Sequence, residues 1–411
     1  MKVFIGCFDI ASILSGLAEG FRDAGHEVTT FVLERNKFYP DVQYDIVQEP
    51  FFKAKLNFQD KKIPGPVKAI LQHTDNFTSR LALERITDDL IKAYDLFIFI
   101  WRPWLPEEKI FKRIKAANKK IVCLHVGSDV RHIAAYKQEF SEDVSLWERF
   151  FHEEDLNEKI KKIRLHELFA DVIFSVPDQE GLAIRGYNHL HIPLKGMEKI
   201  GFQVPGREVP VIVHAPSRSG IKGTSIICKA VEKLQADGYR FEFRLLQNLP
   251  NRELLKELTN ADILIDEILL HGPGVLSLEA MAAGCIVATR TLNVYKDIFN
   301  PPVININPEN IYDQLKKLLD DPNKAHLAFK GKAYVEENNR PEKVAQQIIS
   351  SLVREHQQYT PDFYLRLFEL PQGVVLSREN LEMSAKVAGR FFKGDPAVVK
   401  NAVRRGLMNS Y

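Results

Sequence analysis

Residues 210–234 read PVIVHAPSRSGIKGTSIICKAVEKL. The β-branched run PVIV predicts a buried strand, and TSIICKAVEKL places its apolar residues at helical spacing. Between them lies HAPSRSGIKGT, a strand-to-helix turn carrying Arg218, Lys222 and Gly223. Such a turn aims backbone N–H groups and a helix N-terminus at whatever sits above it, which suits an anion. Arg chelates phosphate oxygens through two parallel hydrogen bonds, and Lys adds a mobile point charge. The competing reading is a solvated basic turn with Thr224 as helix cap.

The same alternation runs outward in both directions. Strand candidates precede it at 2–8, 27–33, 95–101, 120–126 and 171–176, and follow it at 241–247, 261–267, 285–290 and 303–307. Strands this apolar, with amphipathic helices between them, predict an α/β protein whose parallel sheets are covered on both faces. The two series are separated by a Gly- and Pro-rich stretch near 195–209 that lacks periodicity. We therefore expect two Rossmann-like domains, 1–204 and 205–370, facing a central cleft at the carboxyl ends of their strands. The basic, helix-patterned segment 371–411 is expected to return and pack on the N-terminal domain.

At 411 residues the chain is too long for one ordinary core, in line with two domains. Its 45% hydrophobic and 27% charged content is that of a folded protein, and a net charge of only +2 argues against nucleic acid as a partner. Cys7, Cys123, Cys228 and Cys285 show no CxxC spacing and read as reduced, buried thiols. No apolar run approaches the ~18 residues that span a bilayer. The opening MKVFIGCFDI enters a strand pattern directly, so the expected location is the cytoplasm.

A second segment sharpens the anion reading. Residues 271–284, HGPGVLSLEAMAAG, follow the strand ADILIDE. Gly272 and Gly274 allow close backbone approach to a ligand at the start of a helix. Glu279, about two turns in, can accept hydrogen bonds from two neighbouring hydroxyls, as a ribose diol offers. Its alternative role is an acid complementing the helix dipole. Neither a Walker A loop nor G-x-G-x-x-G is present. The chain also lacks D-x-D and HExxH, so no tightly bound metal is expected.

Together, RSGIKGT after a strand and GVLSLEAMAAGCIVAT some fifty residues later resemble the donor-binding half of family 4 glycosyltransferases of GT-B architecture. The resemblance implies a retaining transferase that uses a nucleotide-diphosphate sugar, UDP or GDP based, as substrate and holds no tightly bound cofactor. Arg218 and Lys222 would bind the diphosphate, the backbone around Gly223, Gly274 and Val275 would assist, and Glu279 would hold the ribose. The family's E-x7-E has His271 at its first position here, and Asp266 stands ready to line the cleft instead. In KKIVCLHVGSDVR (119–131) the resemblance implies His125 near the donor sugar and Asp129 on acceptor or donor hydroxyls.

Asp9 and Ser12, in the first strand-to-helix turn, are weaker candidates for the same cleft, with helix capping as the alternative. Trp101, Arg102 and Trp104 could stack on a sugar or fill the core. The acceptor would be a hydroxyl of a glycan, a glycolipid or other lipid-linked acceptor, or a protein-linked glycan. Phe- and Lys-rich residues 51–68 suggest peripheral contact with the inner face of a membrane, against the simpler reading of a solvated loop. Two other functions fit the architecture: a catalytically degenerate GT-B protein that binds a partner or a glycan, and a nucleotide-sugar epimerase.

Overall fold

The computed structural model describes residues 1–50, 64–131, 156–176 and 187–353. Residues 51–63 and 371–411, for which membrane contact and a returning helical tail were expected, lie outside them.

The first half of the chain runs β1 (Lys2–Cys7), α1 (Ile13–Asp23), β2 (Glu27–Val32), β3 (Ile46–Val47), α2 (Gly65–Ala93), β4 (Leu96–Ile100), α3 (Glu107–Ala116), β5 (Lys120–Leu124), α4 (Leu156–Phe169), β6 (Val172–Ser175) and β7 (Asn188–His189). The second half opens with β8 (Val211–His214), α5 (Ser219–Lys222), α6 (Thr224–Ala236), β9 (Glu242–Leu245), α7 (Asn251–Thr259) and β10 (Ile263–Ile265). It continues with α8 (Val275–Ala283), β11 (Ile286–Thr289), α9 (Asn293–Phe299), β12 (Ile304–Asn305), α10 (Ile311–Asp320), α11 (Ala325–Asn338) and α12 (Pro341–Ser351).

The strands form two sheets, ordered β3-β2-β1-β4-β5-β6-β7 and β12-β11-β10-β8-β9, and every pairing is parallel. Each predicted strand is present. The two that sequence does not announce, β3 and β7, are two-residue edge strands, too short to carry a periodic signal.

Strand alternation explains the layering. Along β1, Val3 and Ile5 face the layer that includes α1, while Phe4 faces an aromatic cluster with Phe31, Phe97, Phe99 and Trp104 on the other side. Trp104 is therefore core, its ring centroid 4.9 Å from that of Phe4 and its indole N–H donated to Thr87 Oγ1 at 3.1 Å. None of the four cysteines is in a disulfide, and Cys228 alone among them is partly exposed rather than buried.

Residues 190–210 join the two sheets. Their far end is tied down by Asp262, whose carboxylate accepts the amides of Gly206 at 3.1 Å and Val211 at 2.8 Å. The chain returns to the first sheet at α12, which packs on α1. A Cβ on Gly20 would lie 1.9 Å from the Pro341 carbonyl oxygen, so only glycine lets the two helices approach this closely. Val344, Ala345 and Ile348 share one buried cluster with Ile13, Leu14 and Leu17. Among the described residues no helix is long and apolar enough to cross a membrane.

Candidate functional site

Strand order reverses between β8 and β10, so the connections leaving them diverge and open a crevice at their carboxyl ends. The sequence-predicted donor residues converge there. After β8, Arg218 is extended and exposed at the start of the one-turn α5, and Lys222 ends that turn. Gly223 follows with φ +73°, and a Cβ on it would come 2.3 Å from Ile268 Cγ2. Glycine is required there by both backbone and space, which gives Gly223 a conformational role as well as a place beside the turn. Thr224 does not cap α6. His214 donates from Nδ1 to the Ile265 carbonyl at 2.8 Å and accepts the Thr224 hydroxyl at Nε2 at 2.9 Å, fixing α6 to both strands.

After β10, the buried Asp266 pairs with Lys222 and accepts the Ser277 hydroxyl at 2.7 Å. Burial opposes the lysine's charge, but the carboxylates of Asp266, Glu267 and Glu279 outweigh it and hold the Lys222 pKa above its usual value. Gly274 opens α8, a nine-residue helix whose first amides start at Val275. Glu267 leans over this turn: its Oε1 is 3.3 Å from where a Cβ on Gly272 would sit. His271, at the position of the family's first Glu, is buried.

Glu279 is buried too, and its carboxylate is already engaged. It accepts Asn251 Nδ2 at 2.7 Å, and the Tyr39 side chain, which comes from the other half of the chain, lies near enough to act on it. Burial pushes its pKa up to about 7, against the lowering effect of the Asn251 and Tyr39 side chains. Beside it, the Asn251 amide donates to the Phe38 carbonyl at 2.7 Å, and Arg252 pairs with Asp41 at 3.8 Å.

This pairing of sheets recurs in solved proteins. Sucrose-phosphate synthase from Thermosynechococcus elongatus matches with a TM-score of 0.53 and 14% identity, over 85% of this chain and 97% of its own. HepE from Anabaena, solved with UDP-glucose, matches with a TM-score of 0.51 and 12% identity, over 85% of this chain and 98% of its own. WaaG, a glycosyltransferase involved in lipopolysaccharide biosynthesis, matches with a TM-score of 0.51 and 13% identity, over 86% of this chain and all of its own. The chain has the GT-B fold. No family model and no curated protein matches it.

In the first sheet of this GT-B fold the order reverses between β1 and β4, and the predicted residues there are occupied with structure. Asp9 accepts the Leu14 amide at 2.9 Å, the Ser15 hydroxyl at 2.9 Å and the Tyr44 hydroxyl at 3.0 Å. It thereby caps α1, and burial raises its pKa. Ser12 is left-handed (φ 66°) and hydrogen-bonds Ser15 at 2.7 Å.

His125 was expected at the donor sugar. The structure buries it instead. The strand alternation runs one residue past β5 and carries the ring to the outer face, stacked between His166 at 5.1 Å and Tyr187 at 5.6 Å. Asp129 holds its Nδ1 at 2.7 Å and accepts the amides of Val126 at 3.2 Å and Gly127 at 2.9 Å. These are the bonds of a turn-former, not of a residue open to a hydroxyl ligand. Arg102 stacks on Phe8 at 5.0 Å.

Sequence reading missed Tyr39, because a tyrosine in an irregular loop carries no motif. Asn251 is likewise absent from the sequence candidates, although an Asn opening a helix after a strand is a legible signal.

Burial pushes His214 down to about 4, so it stays neutral in the fold while an unfolded histidine titrates near 6.5. The unfolded chain thus binds the extra proton between those values, and stability falls as pH drops through that window. From pH 7 to pH 5 this group should cost about 2 kcal/mol. In urea titrations the loss between those pH values should be smaller by about that amount in His214→Gln.

Proposed function

We propose that the protein is a glycosyltransferase that takes its sugar from a nucleoside-diphosphate donor bound on the second sheet. The reading is carried by one observation: Asp266 holds both Lys222, on the turn after β8, and Ser277 of α8, the helix that carries Glu279, so an ammonium and a ribose-competent carboxylate share one crevice. Arg218 would meet the diphosphate first, because Lys222 is already balanced by Asp266. The opening amides of α8 at Gly274 and Val275 would take the remaining oxygens. As the bond from the anomeric carbon to the diphosphate breaks, these groups would stabilise the charge left on the departing phosphate. An acceptor hydroxyl of a glycan or lipid-linked glycan would form the new bond, with retention at the anomeric carbon, and give its proton to the departing phosphate. HepE was solved with UDP-glucose, which makes uridine the first base to try.

One observation favours a second reading, a degenerate GT-B protein that binds without turnover. Three carboxylates, Asp266, Glu267 and Glu279, act on Lys222, a weak field for a leaving anion. A thermal-shift titration with UDP, GDP, ADP and their sugar conjugates, beside Arg218→Ala, tests both. Binding should raise the melting temperature by mass action for one base and weaken in the variant. No shift with any nucleotide would sink the transferase reading and leave a protein that binds a partner or a glycan on this fold. Binding with no hydrolysis and no transfer to any acceptor would select the second.

A further inference from the structure

We propose that the exposed N-terminal half of α2 is a docking surface for an anionic lipid bilayer, with the helix lying along the membrane plane. The surface belongs to the first domain and is independent of the donor crevice.

α2 is 29 residues long, yet its buried side chains gather toward its C-terminal end: Leu83, Thr87, Leu90 and Ile91, with Asp75 alone before them. The first half carries apolar residues that the domain does not cover. Val67 is 45% exposed, Ile70 66%, Phe77 58% and Leu81 43%. At about 100° per residue these four fall within about 80° of one another, on the side of the helix roughly opposite Leu83, Thr87 and Leu90. On the inner side a cavity of about 730 Å³ lies between this half of the helix and the strand ends, lined by Asn76, Ser79 and Arg80 from α2 and by Phe8, Leu33 and Arg102 from below. The stripe therefore contributes nothing to the core of its own domain. A contiguous apolar stripe left in water marks a surface that another body covers.

The charges beside the stripe identify that body. Lys68 and Arg80 stand to either side of it, and the one carboxylate among residues 64–81, Asp75, is 3% exposed. Residues 51–63, which lead into this half in sequence, add Lys53, Lys55, Lys61 and Lys62 against Asp60. Apolar side chains on one face with cations flanking them suit the boundary between headgroups and acyl chains, where Lys and Arg stems reach the lipid phosphates. A protein partner fits less well. Four side chains fall short of the roughly 20–30 residues a side of a stable protein interface. A second copy would also set Lys68 and Arg80 against cations of its own kind. For the proposed transferase, docking would keep the enzyme on the surface that carries a lipid-linked acceptor.

The test is flotation of the full chain with vesicles of phosphatidylcholine mixed with phosphatidylglycerol, and with vesicles of phosphatidylcholine alone. Wild type is compared with the pair Ile70→Ser, Phe77→Ser and with the pair Lys68→Gln, Arg80→Gln, with melting curves to show that each variant folds. Wild type should partition onto the anionic vesicles, far less onto the neutral ones, and less as salt is raised. The apolar pair and the cation pair should each lower partitioning by about ten-fold. Undiminished binding by the folded apolar pair would overturn the proposal, as would equal binding of wild type to neutral vesicles or binding to neither. A dimer in sedimentation that the apolar pair dissolves, with no uptake by vesicles, would make the stripe a self-association surface and overturn it too.

Discussion

Glu279→Gln should lower affinity for a nucleoside diphosphate by ten-fold or more and, at the same time, make the protein more stable at pH 8. The two effects have one cause. The buried carboxyl titrates at about 7 in the fold, against a usual carboxylate value of about 4.5. Between those values the native protein holds a proton that the unfolded chain has released, so stability falls as pH rises through the window. Above pH 7 the ionised group costs up to about 3 kcal/mol. Glutamine cannot ionise, yet its carbonyl still accepts from Asn251, so the variant escapes that cost. What it cannot do is offer a charged acceptor to two hydroxyls. Hydrogen bonds to charged groups contribute about 1.5–3 kcal/mol each, hence the ten-fold floor. Urea midpoints at pH 6 and pH 8 read the first effect, and a UDP or GDP titration reads the second. Wild-type affinity in the variant would show that Glu279 does not hold the ribose.

The residues that sequence identified and those it did not differ in a physical way. β8, the turn through Lys222 and the α8 entry were legible because they are local. An apolar run, a glycine and a helical pattern occupy adjacent residues, and the chain can fold there in few ways. The presence of two parallel sheets followed from the same alternation. His125 was misplaced because its position depends on a single residue of register: β5 pairing continues through its amide to the Phe174 carbonyl at 2.8 Å, and this carries the ring outward. Asp9 and Asp129 could equally be ligand contacts or caps, and only the amides around them decide it. Tyr39 was illegible because its significance lies 240 residues away in sequence, in a carboxylate it meets only after both domains have formed.

The charge arrangement in the crevice leads to the largest expected change in stability. Lys222→Met alone should destabilise the protein by about 3–5 kcal/mol, since it strands the Asp266 carboxylate, 1% exposed, with the Ser277 hydroxyl as its remaining side-chain donor. Asp266→Asn alone should cost a comparable amount: the ammonium loses the partner that sustains its charge, and Ser277 loses a charged acceptor. The double variant Lys222→Met, Asp266→Asn removes both charges and should recover most of the loss, because a buried pair is worth far less than its broken halves suggest. Urea unfolding of the four proteins closes the cycle, and a coupling energy near zero would show that the two side chains do not depend on each other. Binding separates the structural role from the functional one. If Lys222 serves the diphosphate, the double variant will be stable but still deficient in nucleotide affinity. If the pair exists only to hold α5 against β10, restoring stability will restore binding as well, and Arg218 with the α8 amides will be the whole of the anion site.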